Sequence, residues 1–145
     1  LERNNIGIFF CWGVRHGIAE QNKCLENGSY GISIGHRDTD NHIVNNDIVA
    51  SGKAGVLFRP ERGKDFAPHR NLVENNRISD NGDASGIGID VQGEVESITL
   101  KKNEIRETRD PAQRIGVRIG AKTKDIDLVE NQIEGFAKTV ERLTE

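Results

Sequence analysis

Apolar and polar positions in this chain recur in columns instead of along one helical face. Aligned on five asparagines, Asn22, Asn46, Asn76, Asn103 and Asn131, the position three residues earlier reads Ala19, Ile43, Val73, Leu100 and Leu128. The position two residues later reads Cys24, Ile48, Ile78, Ile105 and Ile133. The asparagines stand 24, 30, 27 and 28 residues apart. A repeat of this size, written in β-type residues, buries its apolar side only by stacking on its neighbours, which predicts a solenoid. The two apolar columns are separated by an odd number of residues, so an unbroken strand would send them to opposite faces. The chain must therefore bend between them. Asn tolerates left-handed backbone, and its amide can bond to the coils above and below, so the asparagine column is expected to form the corner.

A second strand follows a glycine in each repeat: Gly7-Ile8-Phe9-Phe10, Gly31-Ile32-Ser33-Ile34, Gly55-Val56-Leu57-Phe58, Gly86-Ile87-Gly88-Ile89 and Gly116-Val117-Arg118-Ile119. Period-2 alternation places Ile8, Ile32, Val56, Ile87 and Val117 inside, with Phe10, Ile34, Phe58, Ile89 and Ile119 inside two residues on. Phe9, Ser33, Leu57, Gly88 and Arg118 then face outward. These glycines recur at 24, 24, 31 and 30 residues, so the extra residues of later coils must leave as loops. Strands of successive coils should be parallel and about 4.8 Å apart.

These residues resemble the parallel β-helix repeat of the right-handed, pectate-lyase-like superfamily, with V-E-N-N-R-I at 73–78 followed by G-I-G-I-D at 86–90 as the clearest copy. The resemblance covers nearly the whole chain. It implies an all-β, right-handed, single-stranded parallel β-helix of about five to six coils, forming one domain over 1–145. Right-handed winding also accords with the general handedness of parallel crossovers. Members of the superfamily include polysaccharide lyases, glycoside hydrolases, uronate epimerases, tailspikes and adhesins, so the resemblance implies an extracellular or periplasmic location.

Composition narrows the reading further. With 34% hydrophobic and 30% charged residues, the apolar fraction is low for a globule but suits a thin solenoid with a large solvated perimeter. The formal charge is -3 with both signs interleaved, so no basic stripe points to nucleic acid and no polybasic run to a membrane surface. The longest apolar run, Ile8–Trp12, is far short of the roughly 20 residues of a membrane span. Cys11 and Cys24 have no zinc-ligand spacing and fall in outward and inward columns respectively, which predicts two free thiols. The sequence opens inside a repeat, with Leu1 matching Val73 and Asn4 matching Asn76, as expected of a section cut from a longer solenoid. Residues 135–145 are a candidate C-terminal cap. Phe136, Val140 and Leu143 there fit either a short amphipathic helix or a final strand.

Chemistry in such an architecture belongs on the outward face of the glycine-led strands and the loops just after them, where polar groups of several coils converge. Coil two continues as Gly35-His36-Arg37-Asp38-Thr39-Asp40, coil three as Arg59-Pro60-Glu61-Arg62, and coil four as Asp90-Val91-Gln92. Asp38, Glu61 and Asp90 are the candidate catalytic carboxylates, with His36 as a candidate base. One to two coils of separation, roughly 5 to 10 Å, spans both glycosidase geometries. The alignment puts Gly35, Arg59 and Asp90 in one outward column, so that Arg59 and Asp90 are vertical neighbours, forming either a salt bridge or a clamp for a substrate carboxylate. Arg37 and Arg59 are the candidate substrate-binding cations and Trp12 the candidate stacking ring, Trp12 equally fitting a cover for the apolar end. A lyase would add calcium, for which Asp38 and Asp40 are the candidate oxygens, although an acidic loop is more often simply solvated. No lyase, polygalacturonase or epimerase signature occurs. Three functions follow as expectations: a polysaccharide-directed protein that binds and cleaves, a non-catalytic structural or adhesin-like solenoid, or ion pairs that only staple coils together.

Overall fold

The computed structural model describes all of residues 1–145, and the chain winds as five complete coils and the first strand of a sixth. Coil one comprises β1 (Ile6–Phe9), β2 (Ile18–Glu20) and β3 (Lys23–Leu25). Coil two comprises β4 (Tyr30–Ile34), β5 (His42–Val44) and β6 (Asp47–Val49), and coil three β7 (Ala54–Phe58), β8 (Leu72–Glu74) and β9 (Arg77–Ser79). Coil four comprises β10 (Ile87–Val91), β11 (Glu96–Lys101) and β12 (Glu104–Arg106). Coil five comprises β13 (Ile115–Ile119), β14 (Lys124–Val129) and β15 (Gln132–Glu134), and β16 (Lys138–Arg142) opens the next turn. Corresponding strands pair in parallel into three sheets, ordered β1-β4-β7-β10-β13-β16, β2-β5-β8-β11-β14 and β3-β6-β9-β12-β15. The only helical segment is one 3-10 turn, Lys64–Phe66.

The corner between the second and third sheets is the asparagine column. Asn46 donates both its backbone N–H and Nδ2–H to Asn76 Oδ1, each at 2.9 Å, and Asn76 does the same to Asn103 Oδ1 at 3.0 Å. The remaining Nδ2 hydrogen reaches the carbonyl of the inward residue one coil back, as from Asn76 to Ile43 and from Asn103 to Val73. Asn46, Asn76 and Asn103 are almost completely buried, and the ladder satisfies the polar groups that burial would otherwise strand. The left-handed bend, however, belongs to the residue before each rung: Gln21, Asn45, Asn75, Lys102 and Glu130 have φ between 52° and 57°. The ladder asparagines themselves do not carry the turn.

A shaft of apolar side chains fills the interior, including Ile32, Ile43, Ile48, Val56, Val73 and Ile78, each buried to within 1%. The glycine that opens each strand of the six-stranded sheet is required by close approach. A Cβ on Gly31 would lie 2.3 Å from Ile48 Cγ2 and 2.8 Å from the Gly55 carbonyl oxygen. In coil four the residue holding this place is Gly88, whose Cβ would meet the Gly116 oxygen at 2.5 Å and Ile105 Cγ2 at 2.6 Å.

The register of coil four therefore differs by two residues from the sequence expectation. Ile89 pairs with Val56 and Val117, Val91 with Phe58 and Ile119, and Ile87 with Ala54 and Ile115. Asp90, not Gly88, takes the outward place beside Leu57 and Arg118. Gly86 lies in the preceding loop, against Gly82. A two-residue slip keeps the same faces in and out, so alternation alone cannot detect it. At the C-terminal end, residues 138–142 form a strand paired with β13, and Val140 and Leu143 are left 37% and 40% exposed.

Candidate functional site

Loops leaving the first three strands of the six-stranded sheet converge on one cleft of about 480 Å³, lined by Trp12, His36, Arg37, Glu61, Arg62 and Phe66. The Trp12 and His36 rings lie 4.3 Å apart between centroids, and His36 and Phe66 5.7 Å apart. The Arg37 and Arg62 guanidinium carbons stand over the Phe66 ring at 4.3 and 3.8 Å, within cation–π range. Trp12 is 79% exposed. Trp12, His36 and Arg37 all have positive φ, of 70°, 37° and 66°, a costly backbone state for residues with a Cβ that persists only where surrounding contacts over-determine it.

Those contacts come from a polar network beneath the cleft. Asp38 is completely buried. Its Oδ1 accepts the Gly13 and Val14 N–H groups at 3.1 and 2.9 Å, and its Oδ2 accepts the Gly35 N–H at 3.0 Å. Arg59 lies 3.6 Å from the same carboxylate and donates to Glu61 Oε1, Ser33 Oγ and the Phe10 carbonyl at 3.2, 2.9 and 2.8 Å. Its guanidinium also lies 4.4 Å from the centroid of the Phe9 ring. Glu61 in turn accepts the His36 N–H at 2.9 Å. Asp38, Arg59 and Glu61 thus tie the exit loops of coils one, two and three together, with each of the three guanidinium nitrogens of Arg59 engaged.

Asp90 stands apart from this cluster. Its carboxylate takes a fork from Arg118, Nε to Oδ1 at 3.1 Å and Nη2 to Oδ2 at 2.8 Å, and accepts Gln92 Nε2 at 2.6 Å. The expected Arg59–Asp90 pair does not form, because the two-residue register difference places Asp90 beside Leu57 rather than Arg59. Trp12, His36, Arg37, Asp38, Arg59 and Glu61 are gathered in one place, and Asp90 is not. Phe66 and Arg62 were missed as individual residues. Their signal was the long coil-three segment from Arg59 to Arg70, whose length exceeds what a tight turn needs.

Potential metal donors do not gather. Asp40 faces outward in a fork with Arg70, at 2.9 and 3.2 Å, and the Arg70 hydrogen bond holds its carboxyl below the usual range. His42, which opens β5, lies 3.2 Å from Glu74 Oε2. The His69 ring accepts the Glu96 N–H through Nδ1 at 3.1 Å and contacts the Lys64 carbonyl through Nε2 at 2.8 Å, which fixes the Nε2–H tautomer. Both cysteines are free thiols. Cys24 is in the shaft, where burial pushes its pKa up. No three His, Cys, Asp or Glu side chains come together with a metal-binding arrangement, and no helix is long and apolar enough to cross a membrane.

No curated protein and no solved structure matches the chain. The family described as "Periplasmic copper-binding protein (NosD)" matches residues 1–118. The chain thus belongs to the NosD family of periplasmic β-helix proteins, in keeping with its three parallel sheets and with the location the sequence implied.

Proposed function

We propose that this chain is a non-catalytic recognition solenoid that holds an acidic sugar residue of a polysaccharide in the cleft around Trp12. The observation that carries the reading is an aromatic row lining the cleft, exposed Trp12 with half-buried His36 and Phe66, flanked by the guanidinium groups of Arg37 and Arg62. An aromatic face supports the apolar face of a sugar ring, and a planar guanidinium suits a carboxylate. Arg62 makes no ion pair or hydrogen bond within the chain, so its fork is available. Glu61 contributes the cleft's only negative charge, and that charge already receives the His36 N–H and Arg59.

Binding is favoured over cleavage by the condition of the carboxylates. A general acid or base must reach the proton it moves. Asp38 is enclosed by three N–H donors, Asp90 is forked to Arg118, and Glu61 pins a backbone amide. Copper, which the family description names, finds no fitting donor set in these residues: the sequence has no Met, the two thiols lie on different faces, and no trio of His, Cys, Asp or Glu converges. The same holds for calcium, since Asp38 points inward to backbone amides while Asp40 turns to Arg70.

Trp12 is the single tryptophan, so its fluorescence reports on the cleft directly. Titration with an oligouronate should change the emission and saturate. Trp12→Ala, read by calorimetry, should abolish binding, and Arg62→Ala should weaken it at least tenfold. A neutral oligosaccharide should bind more weakly, and neither glycan should yield unsaturated product or new reducing ends. An oligouronate that leaves both emission and calorimetric heat unchanged contradicts the proposal, and turnover of either glycan contradicts its non-catalytic part.

A further inference from the structure

Phe66 reaches the Trp12 cleft from the 3-10 turn Lys64–Phe66, which buries none of its own residues. The turn is held from two sides. Towards coil two, the Phe66 carbonyl accepts the Arg37 N–H at 2.9 Å, and the Asp65 carbonyl accepts the Arg37 Nε–H at 3.1 Å. Towards coil four, the Lys64 carbonyl meets His69 Nε2 at 2.8 Å, and Lys64 Nζ meets Glu96 Oε1 at 2.9 Å. The turn thus seats Phe66 and braces Arg37, and coil four fixes where it sits.

His69 makes the coil-four tie. Its backbone is anchored, since its carbonyl accepts the Asp40 N–H at 3.2 Å and the next residue, Arg70, donates its N–H to the Glu96 carbonyl at 3.1 Å. The ring bridges the turn and β11, donating from Nε2 to Lys64 and accepting the Glu96 N–H at Nδ1 at 3.1 Å. Only an uncharged imidazole can do both, because an imidazolium has two donors and no acceptor. A proton on Nδ1 sets donor against donor and strands the Glu96 amide.

The charged groups around the ring are Lys64, Asp65 and Arg70 of its own loop, Asp40 of coil two, Glu94 and Glu96 of coil four and Lys124 of coil five. Hydrogen bonds from Arg70 and Lys64 hold Asp40 and Glu96 below the usual carboxylate range, so both keep their charge in mild acid. An imidazolium that turns to the Glu96 carboxylate leaves the Lys64 carbonyl and competes with the Lys64 ammonium. Both coil-four ties of the turn then weaken together.

We propose that His69 is a positioning residue that holds the cleft in shape only while its ring is uncharged, so that mild acid withdraws Phe66, unbraces Arg37 and releases the bound sugar. Release of the sugar rests on the function proposed for the cleft; the loosening of the turn does not.

Nuclear magnetic resonance of the free protein at about pH 8 and about pH 5, which bracket the ordinary histidine range, tests the turn. His69→Asn is the comparison, because its Oδ1 can accept the Glu96 N–H in place of Nδ1 and takes up no proton. In the wild type at the higher pH, the Glu96 amide should be protected from exchange and the Phe66 ring should contact His36. Both signs should be lost at the lower pH, whereas the variant should keep them at either. Calorimetric titration with an oligouronate then reads the consequence. Wild type and variant should bind alike at the higher pH, and the wild type at least about fivefold more weakly than the variant at the lower. Any change of charge at His36 is common to both proteins and cancels in that ratio. A wild type whose Glu96 protection and Phe66–His36 contact are the same at both pH values overturns the proposal, as does a variant that loses them alike. Equal affinities at the lower pH overturn the link to the sugar. An oligouronate that binds neither protein overturns the release together with the function proposed for the cleft, while the resonance measurements alone decide whether the turn opens.

Discussion

The corner between the second and third sheets and the loops leaving the first sheet solve the same problem in opposite ways. Both must bury polar groups where the chain turns. At the corner, one residue type repeats, and Asn22, Asn46, Asn76, Asn103 and Asn131 satisfy one another in a single line. At the exit loops only the last residue repeats, as the buried pair Asn41 and Asn71, and Asp38, Arg59 and Glu61 from two coils cross-link three loops of different length. Uniform turns give the solenoid its register. Irregular turns free their outer positions, here Trp12, His36, Arg37 and Phe66, to present chemistry.

The sharpest way to break the comparison is at the ladder. Asn76→Ala removes an acceptor that serves two donors of Asn46 and leaves the Ile43 carbonyl without its amide, all in buried surroundings. Each stranded group costs about 1–3 kcal/mol, so the loss of stability should be about 3–5 kcal/mol by denaturant unfolding. Gly31→Ala should cost about 1–3 kcal/mol in the same measurement, because its Cβ would overlap Ile48 and the Gly55 carbonyl.

A smaller change should run the other way. At the corner between the third and first sheets, Asn27 and Asn81 donate Nδ2 to the Leu1 and Ile48 carbonyls, but Ser51 stands between them with a buried Oγ that has no partner. Ser51→Asn should complete this second column and raise stability by about 1 kcal/mol, read as a higher Tm.

At the surface the effects shrink further. The Arg70 hydrogen bond to Asp40 and the Lys64 hydrogen bond to Glu96 hold both carboxyls below their ordinary range. A depressed folded-state pKa contributes stability above the unfolded-state value and loses it as pH falls through the folded-state value. Tm should therefore decline as pH drops below about 4, and Asp40→Asn with Glu96→Gln should flatten part of that decline. Trp12→Ala should move stability by no more than about 0.5 kcal/mol while abolishing glycan binding, since the ring is mostly in solvent.

The same contrast explains how much of the molecule was legible in its sequence. The ladder, the shaft columns and the parallel stacking of successive coils were readable because every coil repeats the same physical demand at nearly the same spacing. Which residue takes the left-handed bend was not, because Gln21, Lys102 and Glu130 do so under tertiary constraint and against their usual preference. Coil four was misplaced by two residues because both Gly86 and Gly88 precede an isoleucine, and only the contact with Ile105 and Gly116 distinguishes them. That slip carried Asp90 to Arg59 on paper, whereas its partner is Arg118. The cluster of Trp12, His36, Arg37, Asp38, Arg59 and Glu61 was legible as a location. The stacking of Arg62 and Phe66 was not, since loop conformation follows from side-chain contacts that no periodicity encodes.

The account rests on asparagines far apart in sequence being adjacent along one line. Nuclear Overhauser contacts between ladder side chains test this directly in the folded protein with labelled asparagine. Cross-peaks should link Asn22 to Asn46, Asn46 to Asn76, Asn76 to Asn103 and Asn103 to Asn131, separations of 24, 30, 27 and 28 residues. A spectrum in which these side chains touch only sequence neighbours, or pair in another order, would contradict it.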